Sequence, residues 1–279
     1  MDKMAETSMQ DRKPDEPTRC GFVALIGAPN VGKSTLVNAL VGAKVTIVSR
    51  KVQTTRALIR GLVIEDQSQI ILVDTPGIFA PKRRLDRAMV STAWGGAHDA
   101  DFVCMLIDAR AGLDEEADKI LAKLAEIHHP KFLVLNKIDR VPREKLLALA
   151  QKINDRLPFQ QTFMVAALSG DGVDDLRRAL AVAMPEGPFH YPEDQMSDVP
   201  LRHLAAEITR EKIYRRLHQE LPYQSTVETV SWTERNDKSI RIEQTIFVER
   251  DSQRKIVLGK GGASIKAIGA DAQARACAA

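Results

Sequence analysis

An eight-residue segment near the start of the chain has the composition of a phosphate-binding loop. Its residues, Gly27-Ala28-Pro29-Asn30-Val31-Gly32-Lys33-Ser34, fit the pattern G-x-x-x-x-G-K-[ST]. Glycines let consecutive backbone N–H groups surround a phosphate, and the following helix adds the positive end of its dipole. Lys33 is expected to bridge the β- and γ-phosphates, and Ser34 to ligate Mg²⁺. The residues predicted to contact nucleotide here are Asn30, Val31, Gly32, Lys33, Ser34 and Thr35.

A second segment, Asn136-Lys137-Ile138-Asp139, indicates which base the nucleotide carries. It follows the apolar run 132–135, so it lies at the carboxyl end of a strand, where open α/β sheets bind ligands. The Asp139 carboxylate suits the N1–H and N2 amino donors of guanine, whereas adenine would leave it unpaired. The pattern predicts a GTP and GDP site with Asn136, Lys137 and Asp139 as ligands.

Two further segments could respond to the γ-phosphate. Asp74-Thr75-Pro76-Gly77 reads D-x-x-G, in which Asp74 holds the Mg²⁺ shell through water and the Gly77 N–H meets the γ-phosphate. Between it and the phosphate loop lies Gln53-Thr54-Thr55-Arg56. A threonine there reaches Mg²⁺ only when the γ-phosphate is present, which would make this loop a switch. Taken alone, its threonines would also suit a solvated loop.

The elements that must position these segments follow a βαβ rhythm. Continuous apolar runs are typical of strands covered on both faces, and amphipathic stretches between them are typical of helices. This predicts a parallel sheet with helices on both faces. The strand-like runs are 22–26, 70–73, 102–107, 132–135 and 163–168, and the helical stretches include 34–41, 113–127 and 144–157.

The rhythm stops near Met184. Residues 184–200 contain four prolines and are interpreted as a linker, because proline interrupts helices and central strands. A long helix from Leu201, strands near 225–232 and 238–250, and two further helices predict a separate α+β domain. The domain boundaries predicted are a disordered tail at 1–19, a first domain at 20–183, the linker, and a second domain at 201–279.

The second domain carries the candidate RNA-binding loop, Gly259-Lys260-Gly261-Gly262, between its last two helices. Alone, this motif more often marks a plain joint between helices than a ligand-binding loop. Residues 201–279 hold 14 basic and 10 acidic residues, whereas residues 1–200 hold 26 and 27. The basic excess beside the glycines favours an RNA backbone as the ligand.

Composition excludes several classes of protein. The 279 residues suit about two domains of about 150 residues. No apolar run approaches the ~18 residues of a membrane-spanning helix. The three cysteines, Cys20, Cys104 and Cys277, lack metal-ligand spacing and predict reduced thiols in a cytosolic protein.

The order and spacing of the four nucleotide motifs resemble those of translation-factor-class GTPases. With the C-terminal G-x-x-G loop, Tyr191-Pro192-Glu193-Asp194 and Glu220-Leu221-Pro222-Tyr223, the chain closely resembles the bacterial Era family over about residues 20 to 270. The resemblance implies an α/β P-loop GTPase domain followed by a smaller α+β KH domain. It implies GTP hydrolysis with Mg²⁺, binding of 16S rRNA through the KH domain, and assistance in assembly of the small ribosomal subunit. A cytoplasmic monomer is expected, and peripheral contact with the inner membrane is left open.

The resemblance also suggests roles for individual residues. Lys33, Thr55 and Gly77 are the implied catalytic residues, with Ser34 and Thr55 as metal ligands. Asn30 occupies the position of a potassium ligand in related K⁺-dependent GTPases. Ala167 offers its backbone N–H to the guanine O6, although alanine replaces the serine usual at 166.

Alternatives to this reading differ in chemistry. Ile78 stands where Ras-like proteins have a water-orienting glutamine, which implies slow turnover. It also leaves open an RNA-binding module whose GTP domain does not hydrolyse. A tRNA-modification GTPase is disfavoured by the G-x-x-G loop, and a factor with two GTPase domains is excluded by the single P-loop. Era-like KH domains continue for a further strand and helix, so the second domain is expected to be C-terminally short, with residues 263–279 poorly ordered and RNA binding weak.

Overall fold

The computed structural model describes residues 17–49, 54–55, 57–217 and 224–276. The predicted tail therefore lies outside the described residues up to position 16, and Cys277 lies outside them as well. Thr18 and Arg19, assigned above to the tail, belong to the folded domain because β1 begins at Arg19. In this part of the chain no helix is both long and apolar enough to cross a lipid bilayer.

The first domain is a six-stranded sheet in the order β2-β3-β1-β4-β5-β6, in which helices connect all consecutive strands except β2 and β3. Its central strands are buried almost throughout, as their unbroken apolar runs predict. The strands are β1 (Arg19–Ile26), β2 (Ile59–Glu65), β3 (Ser68–Asp74), β4 (Phe102–Asp108), β5 (Lys131–Asn136) and β6 (Gln161–Val165). The helices are α1 (Lys33–Val41), α2 (Arg84–His98), α3 (Glu115–Leu124), α4 (Arg143–Asn154) and α5 (Val173–Ala183).

The prediction of a purely parallel sheet is wrong at one edge. β2 runs antiparallel to β3, with Glu65 paired to Ser68 across a two-residue turn. Asp66 in that turn has a φ of 51°, a left-handed conformation that aspartate tolerates. A turn this short can join only antiparallel strands, whereas a parallel pair needs a long crossover. The predicted strand at 163–168 also ends earlier, at Val165, and residues 166–168 form a loop.

The register of the parallel strands brings the nucleotide motifs to one edge. Leu25, two residues before Gly27, pairs with both Asp74 of β3 and Cys104 of β4. Asp108 at the end of β4 pairs with Asn136 at the end of β5. The carboxyl ends of four neighbouring strands therefore meet where ligands bind in open α/β sheets.

The second domain has the predicted order α-β-β-α-α around a two-stranded antiparallel sheet. Its small core joins α6 to the helices on either side of the glycine loop through Ile213, Val257 and Ile268. The elements are α6 (Leu201–Arg216), β7 (Ser225–Glu234), β8 (Ile240–Val248), α7 (Asp251–Leu258) and α8 (Ala263–Ala276).

The last helix is longer than the apolar pattern predicts. α8 continues to Ala276, and Arg216 of α6 forms an ion pair with Asp271 of α8 at 2.7 Å. The expectation that residues 263–279 are the least ordered part of the folded chain stays a prediction.

Residues 184–200, the predicted linker, lie against the first domain. The Leu62 N–H of the edge strand donates to the Met196 carbonyl, and Asp198 accepts from both the backbone and the guanidinium of Arg60. The buried Gln69 carboxamide also binds the backbone of Tyr191. The bonds to Leu62 and Arg60 use the outer side of β2, and the bonds to Gln69 reach β3.

Candidate functional site

The phosphate loop joins β1 to α1 with a backbone that only certain residues allow. Asn30 has a φ of 62° and Gly32 a φ of 104°. A Cβ at position 32 would lie 2.2 Å from Asn136 Nδ2, so glycine is required both for its conformation and for this close approach. The phosphate loop therefore packs directly against Asn136 of the base-recognition segment.

Lys33 lies inside the loop and is buried. Its ammonium donates to the carbonyls of Gly27 at 3.0 Å and Ala28 at 3.1 Å. Burial lowers the pKa of Lys33 to about 8, although the nearby Asp74 carboxylate counteracts part of this shift. A phosphate group would replace the two carbonyls with full negative charge, which favours the charged form of Lys33.

Oxygen atoms suitable for a hard cation converge beside Lys33. Ser34 Oγ lies 2.7 Å from Asp74 Oδ2 and 3.0 Å from Thr55 Oγ1, and Thr55 Oγ1 lies 3.3 Å from the same carboxylate oxygen. Asp74 is fully buried, and among the described residues its Oδ1 has no hydrogen-bond partner. Hydroxyl and carboxylate oxygens are ligands that Mg²⁺ accepts, so the residues present fit this ion.

The structure distinguishes the two switch threonines. Thr55 is buried against Ser34 and Asp74, whereas the Thr54 hydroxyl lies 2.7 Å from Ser49 Oγ in the same loop. The arrangement favours Thr55 over Thr54 as a metal ligand. Burial raises the pKa of Asp74, and the hydrogen bond from Ser34 opposes that change.

Asn136 ties three segments together. Its Nδ2 donates to the Val31 carbonyl at 2.8 Å, and its Oδ1 accepts from the N–H groups of Lys137 at 2.8 Å and Ala167 at 3.1 Å. The Ala167 N–H donates to Asn136 in this structure, and its predicted bond to the guanine O6 stays a prediction. The side chain of Asp139 is 50% exposed, and its carboxylate lies 3.4 Å from Arg140 Nε.

Lys137 lies across the same cleft. Its ammonium donates to the Asn30 carbonyl at 2.6 Å and to Asp108 Oδ2 at 2.7 Å. Asp108 was not among the site residues predicted from the sequence. Its position directly after the apolar run 102–107 could have indicated it. Burial alone would raise the pKa of Asp108. Hydrogen bonds from Arg110 and Lys137 have the larger effect and lower this pKa to about 2.

The D-x-x-G segment packs closely on the phosphate loop. A Cβ at Gly77 would lie 2.8 Å from the Pro29 Cα, so the segment can approach only as glycine. The Ile78 N–H donates to the Gly27 carbonyl at 3.1 Å, and its side chain is buried. Ile78 therefore offers no polar group for positioning water.

In the second domain, the glycine loop forms a single 3₁₀ turn between α7 and α8. Gly261 and Gly262 have φ values of 59° and 77°, and a Cβ on either would meet nothing within 4 Å. Lys260 is exposed beside them. A groove of about 260 Å³ opens next to this loop, lined mainly by apolar side chains including Ile246, Val257 and Ile265.

The sequence-based reasoning also missed contacts between the domains. Arg210 and Glu211, both buried on α6, contact the loop that carries Thr55. Nothing in the apolar pattern of α6 signals this, because the partners are 156 and 163 residues away in the chain.

Comparisons with known proteins agree with this architecture. Residues 22–137 match the family described as 50S ribosome-binding GTPase, and residues 220–277 match the KH domain. GTPase Era of Afipia carboxidovorans is 81% identical over 268 residues, which cover 95% of this chain and 87% of that protein. GTPase Era of Rhizobium meliloti is 62% identical over 267 residues, covering 96% and 85% respectively.

Solved structures give the same result. A crystal structure of Era in complex with MgGDPNP and nucleotides 1506–1542 of 16S ribosomal RNA superposes with a TM-score of 0.87 at 36% identity, covering 92% of this chain and 88% of that one. A variant of Aquifex aeolicus Era bound to GDP·AlF4⁻ has the same TM-score, identity and coverage. The fold, the nucleotide motifs and these likenesses identify the chain as a GTPase of the Era family, with a P-loop GTPase domain followed by a KH domain.

Proposed function

We propose that this GTPase binds 16S rRNA through the glycine loop of its KH domain and assists assembly of the small ribosomal subunit. The open space around Gly261 and Gly262 is the observation that carries the proposal, because an RNA backbone can approach there without displacing protein atoms. The exposed Lys260 adds positive charge at the same place. The related structure bound to 16S rRNA supports this choice of RNA.

In the GTPase domain, we assign guanine to Asp139 and the phosphates to the loop from Asn30 to Thr35. The Lys33 ammonium exchanges the carbonyls of its own loop for phosphate oxygens, and the Gly77 N–H approaches the γ-phosphate. Lys33 thereby stabilises negative charge as it develops during hydrolysis. Hydroxyls of Ser34 and Thr55 and the carboxylate of Asp74 would hold Mg²⁺, which supplies further charge stabilisation at the phosphates.

Slow turnover is part of the proposal, because the buried Ile78 cannot orient a water molecule. A potassium ion held by Asn30 would add positive charge at the phosphates. The family membership of the chain favours a hydrolysing GTPase over the alternative of an inactive GTP-binding domain. A cytoplasmic site of action follows from the ribosomal partner, while a monomeric state and a peripheral contact with the inner membrane stay predictions.

A charge placed in the glycine loop tests the RNA assignment. Gly261→Asp meets no protein atom within 4 Å, and aspartate is one of the few residues that adopt a left-handed conformation, at the cost of some backbone strain. Repulsion of the RNA backbone should weaken binding of an RNA spanning nucleotides 1506–1542 of 16S rRNA by at least about tenfold, or about 1.4 kcal/mol. GTP affinity should be unchanged.

Gly187→Asp controls for an added carboxylate, since a side chain there also meets nothing within 4 Å and the site lies in the linker. Gly261→Asn controls for the left-handed backbone at position 261, because asparagine has the same size and no charge. Co-sedimentation with small ribosomal subunits, in GDP and in a non-hydrolysable GTP analogue, extends the test to the assembled partner. Equal RNA affinity of Gly261→Asp and Gly187→Asp would show that the glycine loop does not bind the RNA.

A further inference from the structure

Helix α6 of the second domain forms hydrogen bonds with the loop that carries Thr55. Arg210 Nη2 on α6 donates to the Thr54 carbonyl at 2.7 Å, although Arg210 is only 2% exposed. The next residue, Thr55, lies 3.0 Å from Ser34 Oγ in the phosphate loop. A guanidinium of the second domain is therefore one residue away from a side chain assigned to Mg²⁺.

A second contact holds the start of the same loop. Glu211 is fully buried and accepts from Lys44 Nζ at 2.7 Å and from the Val48 N–H at 3.3 Å. Arg215 donates to the same carboxylate at 3.0 Å. Burial alone would raise the pKa of Glu211. The hydrogen bond and the positive charge of Lys44 have the larger effect, so the pKa of Glu211 is lowered.

Arg210 is itself held rigidly. Its Nε donates to Glu207 Oε1 at 2.7 Å, its Nη2 also bonds Glu207, and its Nη1 donates to the Tyr214 hydroxyl at 3.3 Å. A planar guanidinium can serve these acceptors and the Thr54 carbonyl together, whereas a lysine ammonium cannot. The bond to Thr54 thus comes from a pre-oriented donor.

The other side of α6 belongs to the KH domain. Thr209 donates to Gln244 of β8 at 2.6 Å, and Arg216 pairs with Asp271 of α8 at 2.7 Å. A displacement of these elements is therefore transmitted to α6, and through Arg210 and Glu211 to the loop.

From this geometry we propose that Arg210 is a positioning residue that holds Thr55 toward Mg²⁺ and the γ-phosphate, so that the KH domain sets the preference of the GTPase domain for GTP over GDP. The proposal rests on the role assigned above to Thr55. Because coupling between sites is reciprocal, GTP must then favour the same placement of α6 within the KH domain.

Arg210→Met removes the donor and retains an unbranched side chain. We expect affinity for a non-hydrolysable GTP analogue to fall about tenfold at limiting Mg²⁺, which corresponds to about 1.4 kcal/mol, while GDP affinity changes little. The Mg²⁺ concentration that half-saturates analogue binding should rise accordingly. A merely structural role would weaken binding of both nucleotides or of neither.

Arg202→Met is the matched control, because Arg202 is exposed on the same helix. Arg210→Lys retains the buried charge and serves as the folded variant if the methionine variant unfolds. We expect it to lose affinity for the GTP analogue relative to GDP as well, but by less than Arg210→Met. Thermal unfolding without nucleotide monitors the fold of each protein.

Thr55→Ala separates this inference from the function on which it rests. If Thr55→Ala loses GTP-analogue affinity selectively and both Arg210 variants do not, the coupling through Arg210 is wrong and the role of Thr55 stands. If Thr55→Ala shows no selective loss, the assignment of Thr55 fails first. Equal losses of GDP and analogue affinity in folded Arg210→Lys would also overturn the proposal.

Discussion

Asn136 gives a sharp test of how the nucleotide cleft is built, because one amide joins three loops. The side chain is 2% exposed, and it satisfies the buried Val31 carbonyl and the buried Ala167 N–H. Asn136→Ala leaves both groups without their partner. At about 1–3 kcal/mol for each unpaired buried group, the free energy of unfolding should fall by about 2–6 kcal/mol.

The same substitution should weaken nucleotide binding beyond its effect on stability. Without Asn136, the phosphate loop and the loop at Ala167 lose the side chain that bonds to both. Part of the free energy of nucleotide binding is then spent on ordering these loops. We expect GTP and GDP affinity to fall at least about tenfold, or about 1.4 kcal/mol. Titration of a fluorescent GDP analogue, followed by displacement with GTP, measures this at a temperature where both proteins are folded.

Asn154→Ala is a matched control within the same domain. Its Nδ2 donates to the Ala150 carbonyl at 2.9 Å and to Thr162 Oγ1 at 3.0 Å, away from every nucleotide motif. It should lose stability without losing nucleotide affinity. If the two variants bind GTP equally well when folded, the idea that Asn136 organises the cleft is wrong.

Three further outcomes are expected. Asp139→Asn should weaken GTP binding by about 1–3 kcal/mol and improve binding of xanthine nucleotides, and unchanged GTP affinity would refute the guanine assignment. Hydrolysis should be faster in K⁺ than in Na⁺, and Asn30→Ala should abolish the difference; equal wild-type rates would exclude a potassium site. Phosphate contact should raise the pKa of Lys33 from about 8, so binding at pH 8 should take up about half a proton, with affinity falling as pH rises. Calorimetry in buffers of different ionisation heat measures this uptake, which Lys33→Arg should eliminate, and identical heats for the wild type would contradict it.

The fold class and the order of elements could be predicted from local patterns. Buried strands such as β4 and β5 are apolar throughout because helices cover both faces, and that signal needs no knowledge of neighbours. The antiparallel β2 was missed because it lies at an edge and its direction depends on a two-residue turn. Along β8, the alternating positions Ile240, Ile242, Ile246 and Val248 are apolar and Gln244 interrupts them. The structure explains the exception, because the Gln244 side chain bonds Thr209 of α6 and Thr229 of β7.

The chemistry of the nucleotide site was determined largely by the sequence alone. Lys33, Ser34, Asp74 and Asp139 occur in short motifs whose spacing is set by single turns between a strand and the next element, so local sequence is enough to predict them. The structure adds the distances between them and shows that burial lowers the pKa of Lys33.

Only the tertiary structure decided which groups from distant segments meet. The Ala167 N–H donates to Asn136 Oδ1, and Arg210 of α6 reaches the Thr54 carbonyl. Each of these pairs joins segments that are separated in the chain, and the bonds form only once the sheet and α6 are packed. No local pattern encodes such contacts, because their strength depends on burial and orientation that the whole fold supplies.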